Sequence, residues 1–138
     1  MSVTPDAGKK RIVLVEDNPS EIYLFRETLS PEVLDADLRA FGDGDAMLDY
    51  MEEVARSPAE PHLVLLDYNL PRMSGIELFR RVRAVANGQA IAFLSGTESP
   101  EHHSAMAALQ PAAILSKPRT LQEFHELWER IRAIIAKA

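Results

Sequence analysis

The chain contains no cysteine, a single tryptophan and no excess of positive charge. Each shortage removes a class of function. Without cysteine there are no disulfides and no thiolate chemistry, and the absence is compatible with the cytosol. Fifteen basic residues against 21 acidic ones give a net charge of -6. Bulk electrostatics therefore favour neither nucleic acid nor an anionic membrane as a partner. Of the four histidines, His102 and His103 are adjacent and read as a solvated helix face, while His62 and His125 are isolated. None has a His or Cys at zinc-ligand spacing. No apolar stretch approaches the length of a bilayer span, and Met1 to Lys10 is polar, without the apolar core of a signal peptide. A soluble cytoplasmic protein is expected.

What remains is an ordinary globular composition: 138 residues, 46% hydrophobic and 26% charged. That is one domain's worth of chain, large enough to bury a core without staples. No internal repeat or linker divides it. Residues 1–10 read as a flexible lead-in and residues 11–138 as the domain.

The stretch His62 to Gly75, HLVLLDYNLPRMSG, organises the rest. Leu63 to Leu66 is a continuous apolar run without alternation, which suits a strand buried on both faces of a parallel sheet. It runs directly into a carboxylate, Asp67. Before it, Arg11 to Val15 is a β-branched run ending in Glu16-Asp17. Asn18 then offers a helix cap, Pro19 suits the first helical position, and Glu21 falls three after the cap. Ile22, Phe25 and Leu29 mark that helix's stripe. Ala36 to Phe41 forms a weaker strand, and Ala46, Met47, Tyr50, Met51 and Val54 repeat at helical spacing.

After Asp67, Gly75 opens a helix with Ile76, Phe79 and Val82 inward, broken at Asn87-Gly88. Ala90 to Leu94 predicts a fourth strand, ending at Ser95-Gly96-Thr97. Ser99-Pro100-Glu101 starts a helix with Ala105, Met106 and Leu109 as a modest apolar face. Ala112 to Leu115 predicts the fifth strand, ending at Ser116-Lys117-Pro118. Thr120 and Glu123 form a capping box ahead of a long helix with Leu121, Phe124, Leu127, Ile131 and Ile134 inward. Five strands alternating with five helices indicate an α/β fold: a doubly wound, flavodoxin-like parallel sheet in a three-layer sandwich.

In a parallel sheet all strand carboxyl ends lie on one edge, so Glu16, Asp17, Asp67, Ser95 and Lys117 converge although distant in sequence. Clustered carboxylates repel one another. Lys117 supplies one compensating charge and a divalent cation would supply two. An oxygen-only donor set points to a hard ion, Mg²⁺ first. Such a site suits a phosphoryl group, with Asp67 as nucleophile through an aspartyl phosphate.

The order VLVEDN, LLDYNLPRMSG, FLSG and LSKP resembles the receiver domain of two-component response regulators, over about Arg11 to Ile135. The resemblance implies that Asp67 accepts phosphate from a histidine kinase. It implies Mg²⁺ binding by the side chains of Asp17 and Asp67 and the backbone carbonyl of Asn69, with Glu16 acting through water. Ser95 would hydrogen-bond the phosphoryl group beside the small Gly96, Thr97 is a variable switch position, and Lys117 would pair with the phosphate. The Lys117-Pro118 bond would be cis. Receivers usually carry Tyr or Phe three residues before the strand-five lysine. Here Ile114 stands there, which puts an aromatic rotamer switch in doubt.

Two other readings compete. Haloacid-dehalogenase-like phosphohydrolases also use an Mg²⁺-dependent aspartyl phosphate, but they carry an Asp two residues after the nucleophile, where this chain has Asn69. A flavodoxin-like flavin carrier would need a Ser/Thr/Gly-rich phosphate loop after strand one, which is missing. The receiver reading implies no enzyme activity beyond the protein's own phosphorylation and dephosphorylation. With no output domain after the last helix, protein–protein contact is the expected output.

EDNPSEI and NLPRMSGIEL resemble the stand-alone regulators that partner phytochrome-type histidine kinases, with chemotaxis-type or phosphorelay receivers as the alternative. The same resemblance implies a homodimer through the fourth helix, fifth strand and fifth helix. Ala105, Ala108, Ala112 and Ala113 would allow close approach there, and Trp128 and Ile135 would add buried area. Trp128 stands equally as core.

Overall fold

A computed structural model describes residues 8–96 and 99–137. Five parallel strands form one sheet in the order β2-β1-β3-β4-β5. They are β1 (Lys10–Val15), β2 (Ala36–Phe41), β3 (Leu63–Asp67), β4 (Ile91–Ser95) and β5 (Ala113–Ser116), separated by α1 (Pro19–Thr28), α2 (Gly44–Val54), α3 (Gly75–Val85) and α4 (Pro100–Ala108) and closed by α5 (Leu121–Lys137). The last two strands each lie one residue later than their apolar runs predict. Of the expected lead-in, residues 1–7 lie outside the described part.

Successive side chains of a strand point to opposite faces. On one face Ile12, Leu14, Leu63, Leu65, Ala92, Leu94 and Leu115 pack with Phe25 of α1 and Phe124, Leu127, Trp128 and Ile131 of α5. On the other, Val13, Val15, Val64, Leu66, Ile91 and Phe93 pack with Met47 and Met51 of α2, Leu78 and Phe79 of α3, and Met106 of α4. Both faces are covered, which is why β3 needs apolar side chains at every position. The result is the three-layer flavodoxin-like sandwich that the periodicity predicts.

The structure corrects several sequence expectations. Trp128 is core: it is 1% exposed, packs edge-on against Phe25 and donates its indole N–H to Thr28 Oγ1 at 3.0 Å. Ile135 is buried as well, so neither residue is available to a dimer face. Leu121, the first residue of α5, does not belong to the buried stripe but is 74% exposed. Ala46 and Ala105 are also exposed. No cis peptide occurs among the described residues, so Lys117-Pro118 is trans rather than cis. No described helix is long and apolar enough to cross a membrane.

Candidate functional site

β1, β3, β4 and β5 end level with one another, and the register places the site. Val15 pairs with Leu66, Asp67 with Leu94 and Ser95 with Ser116. The residues that follow each strand therefore meet above the sheet edge: Glu16 and Asp17 after β1, Asn69 after β3, Gly96 after β4 and Lys117 after β5. The backbone secures two of these crossings, with Glu16 N–H donating to Phe41 O at 3.0 Å and Lys117 N–H to Ser95 O at 2.8 Å.

Asp67 is buried at the tip of β3, and both its oxygens are engaged. Oδ1 accepts from the Asn69 N–H at 3.0 Å and Oδ2 from Lys117 Nζ at 3.0 Å. Lys117 also donates to Glu16 Oε1 at 2.9 Å and to Glu21 Oε2 at 3.2 Å. Carboxylate oxygens of Glu16, Asp17 and Asp67 all lie within 4.8 Å of one another. Asp17 is exposed and opens the cluster to solvent, whereas Glu16 is 1% exposed. Burial pushes the Glu16 carboxyl up to about 8, the facing Glu21 adds to the push, and Lys117 draws it back. For Lys117 burial alone would depress the ammonium, but the hydrogen bonds to Glu16 and Asp67 outweigh it and hold it above the ordinary lysine range.

These acids outnumber the lysine, and their clustered oxygens match the donor chemistry of a hard divalent cation. Glu16, Asp17 and Asp67 would hold such an ion. It would supply the positive charge that the cluster lacks.

The structure brings Glu16, Asp17, Asp67, Ser95, Gly96 and Lys117 to one edge as their strand ends predict. Thr97 lies outside the described residues. Ile114 is half-buried against the α2–α4 side of the core. Glu21 joins the site as well, although its spacing from Asn18 predicts the reciprocal half of a capping box. Asn18 does cap α1, accepting from Ser20 N–H at 2.9 Å, but its own N–H donates to Glu16 Oε2 at 3.1 Å. Glu21 is thereby left to reach Lys117. The signal was present in the sequence: a first-turn acid after a strand tip faces back over that tip.

Residues 12–129 match the family model of the response regulator receiver domain. The chain belongs to that family, the receivers of two-component signalling systems. Among individual proteins, it is 29% identical over 129 residues to the response regulator Rcp1 of Synechocystis sp., covering 90% of this chain and 87% of Rcp1. The crystal structure of the Mn(2+)-bound form of Rcp1 matches with a TM-score of 0.72 at 27% identity, over 90% of this chain and 92% of that one. The response regulator RPA3017 in red light signaling of R. palustris matches with a TM-score of 0.77 at 26% identity, over 88% and 90% of the two chains.

Proposed function

We propose that this protein is a response regulator, its receiver domain spanning residues 11–138, that takes a phosphoryl group from a histidine kinase onto Asp67 and signals by changing protein contacts. The observation that carries this reading is the setting of Asp67: buried at a strand tip, with the Lys117 ammonium on one oxygen and the Asn69 N–H on the other. A carboxylate oxygen of Asp67 attacks phosphorus in line. The O–P bond forms as the N–P bond of the kinase's phosphohistidine breaks, and the electron pair leaves on the imidazole nitrogen. Lys117 would offset charge on the transferred group, and Ser95, at the end of the neighbouring strand, would hydrogen-bond it. Water later attacks the same phosphorus and restores Asp67, so the chain catalyses its own loading and unloading and nothing else.

Mg²⁺ would be held by Asp17, Asp67 and the Asn69 carbonyl, with Glu16 one water away. The Mn²⁺-bound form of Rcp1 supports a divalent ion in this family. The cognate kinase is phytochrome-type. Support comes from the EDNPSEI and NLPRMSGIEL motifs and from likeness to a regulator described in red light signaling. The protein works in the cytoplasm and self-associates weakly through α4, β5 and the start of α5, where Ala105, Ala108 and Ala112 are exposed. Incubation with Mg²⁺ and acetyl phosphate, or with a phosphorylated phytochrome-type kinase, should give an acid-labile, hydroxylamine-sensitive label. Asp67→Asn keeps the side-chain volume and should fold yet take none. Full labelling of that variant overturns the assignment.

A further inference from the structure

Lys117 already has a full set of partners. An ammonium has three N–H donors and no acceptor. The three are directed to Glu16 Oε1 at 2.9 Å, Asp67 Oδ2 at 3.0 Å and Glu21 Oε2 at 3.2 Å. A phosphoryl group arriving on Asp67 brings new acceptor oxygens, and Lys117 can serve one only by releasing a present partner. The three partners differ in what release would cost. The Glu16 side chain is 1% exposed, and its other oxygen holds the Asn18 N–H at 3.1 Å, so freeing it would leave a buried carboxyl oxygen without its donor. Asp67 loses its carboxylate charge when it becomes the acyl phosphate, so its contact with Lys117 passes to a phosphoryl oxygen, and a second donor for that group must come from Glu16 or Glu21. The Glu21 side chain is 38% exposed on the first turn of α1, makes the longest of the three contacts and can rotate into water.

We propose that Glu21 is a positioning residue that occupies the third donor of Lys117 in the unphosphorylated state and is displaced by the phosphoryl group. This rests on the phosphoacceptor reading of Asp67 and deepens it. Glu21 then opposes loading in two ways. It competes for the ammonium, and its own negative charge stays close to a group that brings about −1.5 to −2 more. The site therefore holds a brake on phosphorylation that lies outside its metal-ligand set.

The test is binding of beryllofluoride, a phosphoryl mimic, in saturating Mg²⁺, with Mg²⁺ affinity measured separately by tryptophan fluorescence or NMR. Glu21→Gln removes the charge and weakens the acceptor. It should tighten beryllofluoride binding about three- to tenfold and speed labelling by acetyl phosphate to match, while Mg²⁺ affinity stays within about twofold. Glu21→Asp keeps the charge but draws it back by one methylene, so it should tighten binding in the same direction. If Glu21→Gln binds the mimic as wild type does, the braking role is overturned. It is also overturned if mimic and Mg²⁺ affinities shift together, which would mark a merely structural effect, or if Glu21→Asp equals wild type, which would show that contact with Lys117 is immaterial. Failure of the wild-type protein to bind the mimic at all would instead overturn the phosphoacceptor reading itself.

Discussion

His62 accepts a hydrogen bond at Nδ1 from the Arg11 N–H, 2.9 Å away, where the chain enters β3 alongside β1. Its isolation from other ligand residues in the sequence excludes a metal role but carries no sign of a partner 51 positions away. Burial lowers its pKa; the charges of Arg11 and Lys10 add to that and Glu60 opposes them. Protonation would set a donor against a donor. For a base whose folded pKa is depressed, the unfolded chain takes up the proton first. Stability is thus fully present above the ordinary value of 6.5 and is lost as the pH falls below it. Wild type should lose thermal stability between pH ~7 and ~5 more steeply than His62→Asn, whose amide oxygen can accept from the same N–H without titrating. Parallel melting curves across that range would refute the role.

Gly75 shows the same limit for an element. In the sequence it reads as a loop signal opening α3. In the fold, a Cβ there would lie 2.9 Å from Asp67 O and 2.9 Å from Tyr68 Cα, both backbone. The Gly75 N–H also donates to Tyr68 O at 3.1 Å, tying α3 back onto the end of β3. Gly→Ala in a helix ordinarily stabilises by up to ~1 kcal/mol, whereas overpacking against backbone costs ~1–3 kcal/mol. The clash should win here. Gly75→Ala should lower unfolding stability by ~1–2 kcal/mol in urea, and a stabilised variant would show that the loop yields freely. α4 relies on a different device. Met106 is its one residue buried in the core, and Arg83 of α3 secures its C-terminal end, donating to Leu109 O at 2.6 Å and Gln110 O at 3.1 Å.

For the whole molecule, the burial of Trp128 and Ile135 changes what self-association can draw on. Two large anchors leave the α4–β5–α5 face and small alanines remain, with Leu121 exposed at its edge. Small apolar contacts of this kind give weak association. With Ile114 where receivers usually carry an aromatic, dimerisation should respond little to phosphorylation. Sedimentation at micromolar protein should show a concentration-dependent monomer–dimer equilibrium that beryllofluoride and Mg²⁺ barely shift. A strict monomer in both states rules out the dimer, and a dimer formed only with the mimic rules out the weak coupling.

The order of strands and helices was legible because burial on both sheet faces writes itself as unbroken apolar runs such as Leu63 to Leu66, and amphipathic helices as repeats such as Phe124, Leu127 and Ile131. The edge on which Asp17, Asp67 and Lys117 meet was legible too, since parallel strands must end together. Which partners those groups take was decided only by the fold. The Asn18 N–H is satisfied by Glu16, so Glu21 is free to reach Lys117. The Trp128 indole meets Thr28 Oγ1 and so belongs to the core and not to a surface. A hydrogen bond or a packed ring depends on atoms placed within a few tenths of an ångström by elements 96 or 100 positions apart. Periodicity in a single sequence carries no record of such distances.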